Sequence, residues 1–203
     1  MKKLVILFAA LLITVGASAQ FKYGIKAGVN IAQIGSSETK AEGETFKGDA
    51  SDMKIGFHAG IHMNYSFTDL IGLQYEAVFS MQGGSEKEGS STLKMNLNYI
   101  NIPILLDIKP APNFSIFVGP QFGFNISKSA SEDGLSISGK DFENVFGKVN
   151  VIDIAAVAGI QYAIMGQFLI SARYNFGFTK IPNIDEVSGA CNRVIQIGIG
   201  YQF

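Results

Sequence analysis

From residue 22 onward, bulky apolar side chains recur at every second position, in run after run. The closing segment VIQIGIGYQF sets Ile195, Ile197, Ile199, Tyr201 and Phe203 against Gln196, Gly198, Gly200 and Gln202. KIGFHAGIHMNYSF sets Ile55, Phe57, Ala59, Ile61, Met63 and Tyr65 against Lys54, Gly56, His58, Gly60, His62, Asn64 and Ser66. Successive strand side chains point to opposite faces, so this alternation predicts ribbons with one greasy and one polar side. Eight runs carry it: 22–34, 53–66, 70–82, 93–109, 113–127, 150–164, 167–179 and 192–203. The fourth changes phase. Leu93, Met95, Leu97 and Tyr99 are odd-numbered, whereas Ile100, Ile102, Ile104, Leu106 and Ile108 are even-numbered. A β-bulge near Tyr99–Asn101 would switch the faces, and Pro103 suits such a site. Pro120 predicts a distortion in the fifth run.

Two-faced ribbons need two surroundings. With the apolar face inward, the chain would be an exported soluble eight-stranded binding barrel. With that face outward, lipid is its solvent. The polar phase is crowded with glycine (Gly24, Gly28, Gly56, Gly60, Gly119, Gly123, Gly198, Gly200), which suits a narrow bore filled by side chains. The runs also exceed the usual five or six residues and reach the 9–11 of a tilted membrane strand. Connections alternate long and short, with GSSETKAEGETFKGDASD, GGSEKEGSS, KSASEDGLSISGKDFENVFGK and KIPNIDEVSGACN at one end. The other end has tight turns at Thr68–Asp69, PAPN and Met165–Gly166. An even strand count, a polar interior and this asymmetry make the outer-membrane pattern. In lipid no edge can stay unpaired, so the last strand must close on the first.

The head of the chain reads differently. Lys2 and Lys3 precede an apolar run from Leu4 to Val15, then GASAQ with Ala17 and Ala19 in an A-x-A pattern. This predicts a signal peptide over 1–19, cut after Ala19, and a barrel domain over 20–203. A run of about 12 residues is short for a membrane helix of roughly 20. Apolar residues make up 47% of the chain, yet no later stretch nears 18, which excludes a helical membrane protein. Without Lys2 and Lys3, the 16 basic residues become 14 against 17 acidic, a charge of about −3 that does not suit nucleic acid. The one cysteine, Cys191, has no internal disulfide partner.

The expected fold is therefore all-β: an eight-stranded antiparallel up-and-down transmembrane β-barrel, preceded by a cleaved signal peptide. It is expected to be a monomer integral to a Gram-negative outer membrane, with periplasmic termini and extracellular long loops. Tyr23, Tyr65, Tyr75, Tyr99 and Phe203 stand near run ends, as aromatic girdles require.

YINIPILLDIK (Tyr99–Lys109) resembles the Y-[LI]-x-[IV]-P-[LIV]-[LIV]-[LIV] strand of PorT-family barrels, which are common in Bacteroidetes and eight-stranded in the OmpA/OmpX manner. YGIKAGVN (Tyr23–Asn30), GPQFGF (Gly119–Phe124), ARYNFG (Ala172–Gly177) and the terminal IGIGYQF support it. Asn101 departs from the pattern, standing where the family often has Glu. The resemblance implies a non-enzymatic role in envelope integrity or as a secretion accessory, with envelope or secretion-system proteins as partners. Separately, the alternating last strand with Tyr201 and terminal Phe203 resembles the signal of bacterial outer-membrane barrels that their insertion machinery reads.

Lys26, Glu76, Asp153 and Arg173 lie on the polar phase and are expected to form an ion-pair network in the bore, since buried charges must pair. The alternative for this group is a gate or proton path. His58 and His62 share the luminal face of the second strand, with no role assigned. Four strand residues span about 13 Å, too far for one metal to touch both. Ser80 with either histidine is the only nucleophile–base pairing that the pattern offers, and nothing supports it. No cofactor or metal is expected, and no enzyme. A narrow pore for small solutes is the alternative function. In the outer loops Phe46, Phe142, Val145 and Phe146 are the apolar residues most worth testing.

Overall fold

The computed structural model describes residues 21–41, 44–88, 91–132, 135–181, 187–188 and 190–203. The predicted signal peptide lies outside them. The eight runs fold as β1 (Phe21–Ile34), β2 (Lys54–Ser66), β3 (Ile71–Glu88), β4 (Ser91–Ala111), β5 (Phe114–Glu132), β6 (Ile152–Ile164), β7 (Phe168–Lys180) and β8 (Cys191–Gln202). Each is antiparallel to its sequence neighbour. β1 pairs with β8 from Gly24↔Gln202 to Ile34↔Asn192, so the sheet closes into a ring. The wall has no edge within the spanning region, which is what lipid demands of backbone groups.

The cylinder is inside-out relative to a soluble domain. On β7 the alternate residues Phe168, Ile170, Tyr174, Phe176 and Phe178 are exposed on the outside, while Leu169, Arg173 and Asn175 are buried within. From Phe168 to Phe178 the strand runs roughly 34 Å, or about 25 Å along the axis at a tilt near 40°, which matches a bilayer's apolar band. Tight turns connect one end. Met165 and Gly166, with φ of 53° and 74°, form a turn with two left-handed centres that follows the twist of its hairpin. Between β2 and β3, the Thr68 hydroxyl accepts the amides of Leu70 and Ile71 at 3.2 and 3.0 Å. This end also carries an aromatic collar. Phe21 packs on Tyr65 and Tyr65 on Phe67, while Phe203 touches both Tyr23 and Tyr201.

At the other end four expectations need correction. The described part of GGSEKEGSS is strand, not loop: β3 and β4 continue in register from Gly83↔Asn96 to Glu88↔Ser91. β4 holds one phase throughout and has no face-switching bulge. Leu97 and Tyr99 point inward, as do Asn101, Leu105 and Asp107. The register shift lies beside Tyr99 but on the partner strand, where Ile126 of β5 is the extra residue between Asn98↔Ser127 and Tyr99↔Asn125. The apolar pattern of β4 changes because its surroundings change. Towards the long-loop end the outward residues Lys94, Asn96 and Asn98 are polar, and the inward ones take over the apolar role. Tyr99 therefore leaves the girdle for the interior.

The fourth correction concerns the loop residues. Phe142 is wholly buried rather than displayed. It lies on the short helix α1 (Lys140–Phe146) and packs with Leu97, Tyr99, Ala130, Val149 and Ile181 into an apolar plug over the bore. Burying a phenylalanine contributes roughly 1.5–3 kcal/mol, enough to hold the helix down. Val145 is exposed at 66%. The side chains of Phe46 and Phe146 lie outside the described residues. Pro120 leaves a gap in the β4–β5 ladder between Pro103↔Gln121 and Leu106↔Val118 without shifting the register. A missing donor costs rungs, not alignment.

Candidate functional site

The bore is filled with polar side chains that the alternation of the wall turns inward. At its centre stands Glu76 of β3. Lys26 of β1 reaches both carboxylate oxygens at 3.0 Å. Arg173 of β7 comes from across the bore and grips it as a fork, Nη1 to Oε2 at 2.9 Å and Nη2 to Oε1 at 3.1 Å. Gln74, two residues along β3, donates to Oε1 at 2.6 Å. A two-pronged guanidinium contact fixes geometry as well as charge. The three ionic side chains are at most 5% exposed. Two basic side chains thus share one carboxylate.

Asp153 stands apart from this clamp. It is buried nearer the loop end, close to Gly123 and Asn101, where Asn192 donates to the Tyr99 hydroxyl at 3.2 Å. Asn101, at the position where the resembling family often has Glu, is buried nearby with neither amide atom partnered.

Above Glu76 a second cluster gathers on Asn30. Its amide nitrogen donates to the carbonyls of Phe57 and Met81 at 3.0 and 2.8 Å and to Ser80 Oγ at 3.0 Å. Its Oδ1 accepts Gln196 at 2.8 Å and lies 2.8 Å from His58 Nδ1. An acceptor there requires the hydrogen on Nδ1. His58 is thus turned to Asn30, not to Ser80, and Ser80 is itself fully buried. The Ser80–histidine pairing, which the sequence did not favour, is not among the hydrogen bonds of the described residues. His62 is buried with Nε2 unpartnered. No group of His, Cys, Asp or Glu suited to a metal occurs among the described residues.

Glycine makes room for both imidazoles. A Cβ on Gly24 would lie 2.5 Å from His62 Cε1, and one on Gly198 would lie 2.9 Å from His58 Nε2. Gly198→Ala is expected to destabilise the barrel by about 1–3 kcal/mol through overpacking. The cost should fall in a His58→Ala background, leaving the part due to the Ala27 carbonyl, 3.0 Å from the same Cβ. Equal costs in both backgrounds, measured by urea unfolding, would place the strain in the backbone instead.

A third cluster, not anticipated from sequence, lies at the tight-turn end. Asn64 donates to Asp107 Oδ2 at 2.6 Å, and Lys109 bridges Asp107 at 3.5 Å and Ser66 at 2.7 Å. It borders a cavity of about 120 Å³ that Lys22, Gln161 and Gln202 also line. The signal for Asp107 was its place in the inward phase of β4, six residues beyond Asn101.

Comparison with known proteins agrees with this architecture. The outer membrane protein beta-barrel domain family matches residues 16–183. No curated protein matches the sequence. Among solved structures, the attachment invasion locus protein Ail of Yersinia pestis is 19% identical and superposes with a TM-score of 0.50, covering 91% of this chain and 99% of Ail. Neisserial surface protein A is 14% identical with a TM-score of 0.49, covering 91% and 98%. OprG of Pseudomonas aeruginosa is 18% identical with a TM-score of 0.41, covering 90% and 95%.

Proposed function

The chain belongs to the outer membrane protein beta-barrel domain family, and from that premise we propose that it is a non-enzymatic barrel of the PorT-like kind. Its role is envelope integrity or secretion support, exercised by the long-loop end outside the cell. The tight-turn end and both termini face the periplasm. The observation that carries this reading is the filled bore. Glu76, Lys26 and Arg173 clamp its centre, and the Phe142 plug covers one mouth. A bore closed in this way favours surface work over solute passage. The secretion arm rests on the resemblance of Tyr99–Lys109 to the PorT strand.

Insertion machinery and membrane lipid are the partners that any such barrel needs. Phe203 fits the assembly-signal role. Its amide donates to the Tyr23 carbonyl at 2.8 Å while its ring stays 59% exposed at the rim, beside Tyr201. An exposed ring, steadied by its aromatic neighbours on a fixed backbone, is what a docking receptor can read.

Gel mobility with and without boiling tests the barrel. The unheated protein should resist detergent and migrate apart from the boiled form. Planar-bilayer recording tests the closed bore and should give no discrete conductance steps. Stable unitary currents would overturn the structural reading in favour of a narrow pore. Comigration of heated and unheated protein, with recovery in the soluble fraction, would overturn the membrane assignment itself.

A further inference from the structure

Near the long-loop end the wall divides. The Asn125 amide donates to the Val151 carbonyl at 2.7 Å, just beyond the last β5–β6 pair, Phe124↔Ile152. Past the Ile126 bulge, β5 takes another partner, the short strand Leu135–Ser138, through Ser129↔Ser138. β6 has no such extension. The parting leaves a notch of about 590 Å³ lined by Lys128, Glu143, Lys148, Asn150, Ile152 and Ile154.

The notch has two kinds of wall. Ile152 and Ile154 lie on the lipid-facing phase of β6, 53% and 44% exposed, and Val151 beside them is 62% exposed. They mark the upper limit of the apolar band. Above them the lining is basic. Lys128 is ion-paired with Glu143. Its hydrogen bond, with the charges of Lys148 and Lys140, holds the Glu143 carboxyl below the usual carboxylate range. Within the lining, the two ammonium groups of Lys128 and Lys148 thus outnumber the one carboxylate. Among the described residues no ion pair engages Lys148. Asp141, the other acid of α1, is not part of the lining.

We propose that this notch seats one lipid of the surrounding leaflet, its headgroup phosphate at Lys148 beside Lys128 and an acyl chain along Ile152 and Ile154. The site rests on the reading that the long-loop end faces outward, which makes the occupant an outer-leaflet lipid. The apolar wall would accept any acyl chain, and the uncompensated lysine selects phosphate. Lysine serves phosphate as a mobile point charge, and basic recesses at a membrane boundary recruit anionic headgroups. Among the lipids of an outer leaflet, phosphorylated lipid A carries this chemistry.

Native mass spectrometry of the full folded protein tests it, with bisphosphorylated lipid A and its dephosphorylated form as probes. One copy of the phosphorylated lipid should be retained, at about tenfold lower concentration than the dephosphorylated one. Lys148→Glu should abolish that preference while the unheated gel shift stays intact. Equal retention of both lipids, or an unchanged preference in Lys148→Glu, would overturn the proposal. So would displacement of the lipid by millimolar inorganic phosphate alone, which would indicate a site for soluble phosphate. Labelling of a tag at the exposed Asp49–Ala50 stretch of the first long connection, on intact cells, reports the orientation separately. The lipid site and the outward reading can therefore fail independently.

Discussion

Glu76→Ala should lower the stability of the folded barrel by about 3–5 kcal/mol, the cost of leaving buried charge without its partner. The substitution strips the only carboxylate from between Lys26 and Arg173 and leaves two cations facing each other in the bore. It also frees the Gln74 amide that donates to Oε1. Lys26→Met should cost much less, because the forked Arg173–Glu76 pair survives as a neutral unit. Arg173→Ala falls between them, since Lys26 can still balance Glu76. The measurement is the fraction of fast-migrating folded protein across a urea series in lipid vesicles. The order of the three variants is the sharp part. If Lys26→Met cost as much as Glu76→Ala, the clamp would not be the charge-balancing centre that its geometry implies.

Ala172→Arg should cost about 2–4 kcal/mol, the price of a cation on the lipid face near mid-membrane. Ala172 lies midway along β7 on the outward phase, opposite Ile160 on one side and Ile197 on the other. Its neighbours Ile170 and Tyr174 are exposed on the outside of the cylinder. Ala172→Leu at the same place should be close to neutral, which separates the effect of charge from that of size. An arginine tolerated there at under about 1 kcal/mol would mean that hydrocarbon does not bathe this face.

The alternation was legible because one physical contrast, lipid outside against a packed polar bore, acts along most of every strand. It stopped being legible where that contrast ends. Leu93, Met95, Leu97 and Tyr99 continue the inward phase of β4, but above the bilayer an inward residue is apolar. The change of surroundings therefore looked like a change of face. The true register shift, at Ile126, lies in a strand whose apolar pattern shows no break at that point. Phe142 sat in a stretch of polar residues, and nothing local showed that it would turn down onto Tyr99.

The bore shows a similar division. Phase placed Lys26, Glu76 and Arg173 on the inner face, and the structure brings them into contact. Phase gave Asp153 the same direction, but not its height along the axis. Height depends on how far each strand is staggered against the next, which the pairing register sets and composition does not. Asn30 was passed over for a related reason. It carries no charge, yet its amide lies within hydrogen-bond distance of five groups.

The seam between β1 and β8 governs the order in which such a cylinder can be built. The other seven pairings join strands adjacent in sequence and can zip up as hairpins, close to where each turn forms. Only the seam asks Gly24 to find Gln202. Its entropic cost rises only as the logarithm of the intervening length, so distance alone is a small obstacle at equilibrium. Kinetics are another matter. Until the ends meet, both carry a row of bare amides and carbonyls at several kcal/mol each in hydrocarbon. The half-rolled sheet is therefore the species most in need of a chaperone, and its rescue is a zipper drawn between the first and last strands of the ring.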